Sequence, residues 1–184
     1  IYTVRVRAVD AQGNDITQSG AVTSVDIYLF DNTGFVRMVP KGTSTDFLFG
    51  SDIHIPYTLV AWGNIKQDSI KLADIRKGTP IHQASLELME HAKGFDMPST
   101  DLFYSRQDVK ALTRQVVEKD ITLVLERCVA ALSVQTHLLI NRYGHSTEPY
   151  FLVVRGTAST FNFLCQPNEK RPGCAPRVEK DITG

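Results

Sequence analysis

The segment Val22–Phe35, VTSVDIYLFDNTGF, limits the possible folds more than any other part of the chain. Val25, Ile27 and Leu29 fall on one face of an extended backbone and Asp26, Tyr28 and Phe30 on the other. That period of two belongs to a strand and not to a helix. Both faces are largely apolar, so the strand needs cover on each side. Asp31-Asn32-Thr33-Gly34 then supplies turn chemistry, with Gly34 able to take positive φ, and Phe35-Val36 restarts the apolar pattern. The expectation is a hairpin whose first strand lies inside a sheet.

Other segments repeat this period. Ile1–Val9 alternates with Tyr2, Val4, Val6 and Ala8 inward and Thr3, Arg5 and Arg7 outward. Phe47–Phe49 reads as a short strand. Ile53–Asn64 reads as a long one, with Ile53, Ile55, Tyr57, Leu59 and Ala61 on one face and Trp62 on the other. Pro56 cannot donate to a ladder, so it marks an edge or the start of the paired region. Thr100–Ser105, Val116–Leu125, Tyr150–Arg155 and Thr157–Leu164 complete the set. After Arg127 the inward phase passes to Cys128, Ala130, Leu132 and Val134, as a bulge or tight bend would produce. Cys128 is thus expected to be buried and unpaired.

Ser69–Gly94 reads differently. Thr79-Pro80 has the form of an N-cap followed by the first helical residue, and Ile81, Ala84, Ser85, Leu88, Met89 and Ala92 recur at helical spacing before Gly94. A short helical crossover, or an irregular one, is expected here. Short strands with turns between them give an all-β fold, a Greek-key β-sandwich of about seven strands. Residues 1–164 form the sandwich domain. Residues 165–184 hold a Pro/Gly-containing linker and the start of a further segment.

The chemistry that the sequence excludes is as informative. The 184 residues carry zero formal net charge, which argues against broad attraction to nucleic acid or anionic lipid. No run approaches the roughly eighteen apolar residues of a membrane-spanning helix. The five histidines, His54, His82, His91, His137 and His145, show no metal-ligand spacing with one another or with cysteine. There is no Gly-x-Ser-x-Gly elbow, phosphate-binding glycine loop or dinucleotide fingerprint. No catalytic site, metal or cofactor is expected, although a glycosidase-type carboxylate pair meets only in space and leaves no spacing to read. Trp62, Tyr57, Phe103 and Tyr104 could form a sugar-stacking platform, but core packing is the favoured role for them. Arg127, closing an apolar strand, is expected to tie loop carbonyls or a carboxylate together. Cys128, Cys165 and Cys174 contain no C-x-x-C pair. Cys165 and Cys174 could bridge in an oxidising compartment, with two free thiols the favoured alternative.

Four signatures stand in order: Val25-Asp26-Ile27-Tyr28-Leu29-Phe30-Asp31 with Gly34-Phe35, Tyr57-Thr58-Leu59-Val60-Ala61-Trp62-Gly63-Asn64, Asp101-Leu102-Phe103-Tyr104, and Leu123-Val124-Leu125-Glu126-Arg127-Cys128-Val129-Ala130. In these the chain resembles the anchor and accessory subunits of Bacteroidales fimbriae, the FimB/Mfa2 family of fimbrillin-like lipoproteins, over about Ile1 to Leu164. The resemblance implies a transthyretin-like sandwich and a cell-surface fimbrial anchor or accessory subunit, not an enzyme, that works in adhesion. It implies assembly with other fimbrial subunits by strand addition. It also implies attachment to the outer membrane through a lipidated cysteine upstream of Ile1. The terminal strand, with Tyr2, Val4, Val6 and Ala8, is the expected exchangeable element. The alternatives are a stalk or tip pilin of the same superfamily and a carbohydrate-binding surface lipoprotein.

Overall fold

In the computed structural model, residues 2–42, 46–49, 55–72, 74–92, 94–111, 119–129 and 154–167 are described. Among them twelve strands follow one another: β1 (Tyr2–Val9), β2 (Val25–Asp31), β3 (Gly34–Met38), β4 (Phe47–Phe49), β5 (Tyr57–Gly63), β6 (Ile70–Leu72), β7 (Ser85–Leu88), β8 (Glu90–His91), β9 (Gly94–Phe95), β10 (Phe103–Val109), β11 (Lys119–Arg127) and β12 (Thr160–Asn162). Seven of these form one sheet in the order β3-β2-β5-β10-β11-β1-β4.

That sheet turns a corner. β10 pairs with β5 over its whole length, from Phe103↔Gly63 to Val109↔Tyr57. With β11 it shares only Phe103↔Arg127 and Tyr104↔Glu126. Beyond these two pairs the strands diverge, so β3-β2-β5-β10 and β11-β1-β4 face each other as the two layers of a sandwich. Ile27, Leu29, Leu59, Ala61 and Phe103 from one layer and Tyr2, Val4, Ile121, Leu123 and Leu125 from the other fill a single core between them.

The expectation that β2 is covered on both faces is met, and β5 is covered in the same way. Tyr28, Phe30, Val60 and Trp62 point away from the sandwich core into a second cluster. A small antiparallel sheet, β12-β7-β6, covers that cluster with Leu86 and the residues that follow β12. Phe163 is its centre. Its ring lies 4.9 Å from Tyr28 at 78°, 5.7 Å from Trp62 and 6.0 Å from Phe30, the tilted and edge-on arrangements that aromatic quadrupoles favour.

The hairpin forms where the turn residues place it. Asp31 pairs with Gly34, and the Asp31 carboxylate accepts from the Thr33 amide at 2.7 Å and the Thr33 hydroxyl at 2.6 Å. Gly34 takes φ +113°, and a Cβ there would collide with the Gly78 carbonyl, so both the turn and the packing require glycine. Pro56 immediately precedes the ladder of β5, the second of its two expected positions.

Among the described residues the helical crossover is not present. Residues 69–94 carry β6, β7 and the β8–β9 hairpin, with a single turn at Thr79-Pro80 in which the Gln83 and Ala84 amides both donate to the Pro80 carbonyl. The helix is lost to long-range pairing. The Phe35 amide donates to Thr79 O, the Gly78 amide donates to Phe35 O, and β7 pairs with both β6 and β12, which buries Leu86 at 3% exposure. A helix would have turned Leu86 away from the face of Ala84 and Leu88. Tertiary contacts outweigh a pattern whose propensity gain is only tenths of a kcal/mol per residue, ~0.5 at most.

Candidate strand-exchange site

β1 owes its place to alternation. Tyr2, Val4 and Ala8 are almost fully buried and Val6 packs beside them, while Arg5 and Arg7 are exposed, as the sequence pattern requires. One edge of β1 runs parallel to β11 over eight positions, from Tyr2↔Lys119 to Val9↔Glu126. Among the described residues its other edge pairs with the three residues of β4, Tyr2↔Phe49 to Val4↔Phe47, and makes one isolated bridge, Val9↔Asp15.

Beyond Val4 a turn replaces a neighbouring strand. The Ile16 amide donates to Ala8 O and the Ala8 amide donates to the Thr17 hydroxyl, both at 2.9 Å. Asp15 holds that turn: its Oδ1 accepts from the Thr17 amide at 2.9 Å and the Thr17 hydroxyl at 2.6 Å, and its Oδ2 accepts from Arg7 Nε at 2.7 Å. The Thr17 hydroxyl, followed by the Thr17 amide and Arg7, holds the Asp15 carboxyl below the usual range. Between β4 and this turn a cleft of about 200 Å³ opens beside Val6 and Ala8, lined also by Val25, Phe47 and Leu125. Arg5 reaches toward both neighbours, 3.6 Å from Asp46 just before β4 and 3.4 Å from Asp120 of β11. The sequence reading missed the Asp15–Thr17 clasp. Its signal was available in the Asp-x-Thr spacing, which favours a side-chain-capped turn.

The other singled-out residues sort themselves by burial. Trp62 and Phe103 are fully buried and Tyr57 is 8% exposed, so the sugar-stacking platform does not exist and core packing is their role. Tyr104 stacks on Trp62 at 4.8 Å. Its hydroxyl donates to Phe163 O at 2.7 Å, and burial pushes its pKa up to about 12. Arg127 ties a carboxylate, with Nη2 2.8 Å from Asp101 Oδ2. His82 is exposed, and His91 Nε2 lies 3.4 Å from Asp96 Oδ1. His54, His137 and His145 lie outside the described residues, as do Ala130, Leu132, Val134 and Cys174. Among the described residues no three His, Cys, Asp or Glu side chains gather as a metal site.

Cys128 is half-buried, and β11 ends one residue before it. Its amide donates to Leu102 O at 2.9 Å. It packs on the second cluster and not on the core that takes Leu125. Cys165, expected to bridge Cys174 or stand free, carries no disulfide and packs, like Cys128, against the second cluster.

Asn64 is a further residue whose role the sequence understates. It takes φ +64°, its side-chain oxygen accepts from the Thr23 amide at 2.8 Å, and its Nδ2 donates to Ala21 O at 2.7 Å and Asp101 O at 2.9 Å. It pins the entry to β2 and the entry to β10 to the end of β5.

This architecture recurs in solved structures of proteins from Bacteroides and Porphyromonas. A candidate polysaccharide-binding protein from Bacteroides thetaiotaomicron superposes with TM-score 0.66 at 14% identity, covering 95% of this chain and 63% of its own. A candidate adhesin from Bacteroides ovatus gives 0.65 at 14%, covering 96% and 62%. The fimbrial anchor protein Mfa2 from Porphyromonas gingivalis gives 0.62 at 14%, covering 100% and 68%. The chain therefore spans about three-fifths to two-thirds of the length of these relatives. No curated protein matches it. The match that assigns it extends over residues 2–180, nearly its whole length, and by that match the chain belongs to the family of fimbrillin-A associated anchor proteins Mfa1 and Mfa2.

Proposed function

We propose that this chain is the sandwich domain of a cell-surface fimbrial anchor or accessory subunit that joins its neighbours by strand addition, through β1 and the groove that β1 fills. The near-complete family match carries the reading, since that family consists of anchor proteins and not of enzymes. The geometry of β1 supports the mechanism. The strand has one long ladder, one three-residue ladder, and a hydrogen-bonded turn in place of a strand beyond it. Its departure uncovers a groove floored by Ile121, Leu123 and Leu125, with the backbone groups of β11 unpaired along the wall. Such a groove accepts any strand of matching alternation: main-chain hydrogen bonds supply affinity and alternate side-chain pockets supply specificity. Attachment to the outer membrane through a lipidated cysteine upstream of Ile1 belongs to the same proposal, as does the division into residues 1–164 and a C-terminal segment from residue 165.

The test is complementation in trans. Protein lacking residues 1–9 is expected to lose stability or to self-associate, and a peptide of the sequence IYTVRVRAV is expected to restore the monomer and its melting temperature. A peptide with the same composition and broken alternation is expected to have no effect. Equal rescue by both peptides would contradict strand addition at this groove.

A further inference from the structure

We propose that the groove under β1 selects its partner by charge as well as by alternation. Its occupant is a basic strand of a partner subunit, with cations at the two outward positions that Arg5 and Arg7 fill here. This rests on the strand-addition reading and names the chemistry of the strand that is added. Arg5 sits between two acidic neighbours, its Nε 3.6 Å from Asp46 and its Nη1 3.4 Å from Asp120. Arg7 places its Nε 2.7 Å from Asp15 Oδ2. Asp46 stands just before β4, Asp120 belongs to β11, and Asp15 belongs to the turn that follows β1. Three separate segments flanking β1 thus each contribute a carboxylate to its outward side. Asp15 keeps its place without Arg7, because its Oδ1 is held by the Thr17 amide and hydroxyl. Glu126 is exposed on the same face of β11 as Asp120, opposite Val9. Departure of β1 therefore leaves an acidic rim along the groove.

The inward residues alone define the register poorly. Val4 and Val6 are the same residue, so a slip by two keeps every inward side chain on the core face. The ends and the rim remove that ambiguity. Tyr2 is 1% exposed and Ala8 is 2% exposed, so the groove has a large site at one end and a small one at the other. A slip by two also carries a guanidinium away from its carboxylates. At position 5 one guanidinium reaches acids on both sides of the strand, which the planar fork of arginine does better than the point charge of lysine. The partner segment is therefore extended. Its inward face runs from aromatic through β-branched to small, and it is basic at two alternate outward positions. Each exposed pair contributes little to affinity, and the larger effects of such charges are on register and encounter rate.

The experiment refolds the full chain from urea in an excess of fluorescent peptide and measures the peptide retained. The chain carries Arg5→Glu with Arg7→Glu, which weakens its own strand's hold on the groove. The peptides are IYTVRVRAV, the same peptide with Arg5→Gln and Arg7→Gln, and the same peptide with Arg5→Glu and Arg7→Glu. The arginine peptide is expected to be retained, the glutamine one roughly fivefold less, and the glutamate one not above background. The contrast is expected to shrink between about 0.05 M and about 0.5 M salt. A second measurement needs no peptide. The melting temperature of the full chain is expected to fall from wild type to Arg5→Gln/Arg7→Gln and again to Arg5→Glu/Arg7→Glu. Adding Asp120→Lys to the glutamate variant is expected to recover part of the loss. Equal retention of the three peptides, or no recovery with Asp120→Lys, would overturn selection by the rim and leave strand addition standing. Retention of none would overturn strand addition and this proposal with it.

Discussion

The Tyr104 hydroxyl donates to the Phe163 carbonyl across 2.7 Å, joining β10 of the sandwich to the turn that carries the centre of the second aromatic cluster. The same ring stacks on Trp62, which is fully buried. One side chain therefore serves both the sandwich and its covering sheet: its ring packs on Trp62 and its oxygen bonds the segment that follows β12.

Replacing Tyr104 by Phe keeps the stacking and removes the bond. The Phe163 carbonyl is left without that donor, and the expected cost is about 1–2 kcal/mol in chemical denaturation with an unchanged slope. The wild type also carries a pH signature. Burial raises the Tyr104 phenol to about 12 from 10.0, so the folded state holds its proton where the unfolded state has released it. Stability from this group is complete below pH 10 and falls as pH rises toward about 12. Denaturation curves at pH 9 and pH 11 are expected to differ less for Tyr104→Phe than for the wild type.

Gly34 is expected to tolerate no side chain. Its φ of +113° strains any L-residue, and a Cβ would meet the Gly78 carbonyl and lie 2.8 Å from Thr79 O. Gly34→Ala is predicted to cost about 2–4 kcal/mol and to loosen the Phe35–Thr79 and Gly78–Phe35 backbone bonds. Hydrogen exchange of the Phe35 and Gly78 amides measures this directly, and unchanged protection would contradict the packing described.

Asn64 separates a conformational effect from a bonding effect. Asn64→Ala loses the side-chain bonds that join the segments and strains φ +64°, whereas Asn64→Gly loses the same bonds and no longer carries the strain. Thermal unfolding is expected to place both variants well below the wild type, with glycine the more stable of the two by about 1 kcal/mol. An alanine variant as stable as the glycine one would show that the side-chain bonds alone matter.

How much of this was legible depends on the range of the interaction. The alternation of β1, β2, β5 and β11 reports burial one residue at a time, so both covered faces of β2 and the inward set Tyr2, Val4, Val6 and Ala8 could be read directly. The Asp31–Gly34 turn is equally local. Residues 69–94 were misread because Ile81, Ala84 and Leu88 happen to fall at helical spacing, while the partner that makes β7 a strand, Thr160–Asn162, lies some seventy residues away. The Asn64 bonds to Ala21 and Asp101 are likewise long-range, and spacing carries no trace of them. The partners of β1 fall between these cases. Its alternation shows that it is a strand, but its parallel place beside β11, with the short β4 on its other edge, belongs to the topology.

The central claim concerns assembly, and the most direct measurement is electron microscopy of cells that lack this gene, combined with assays of fimbriae shed into the medium and of glycan binding and hydrolysis. The account predicts that fimbriae detach or change in length, that the wild-type gene restores them, that a gene lacking the codons for residues 1–9 does not, and that glycan turnover stays normal. Normal fimbriae, together with a lost glycan-binding or hydrolytic activity, would contradict it.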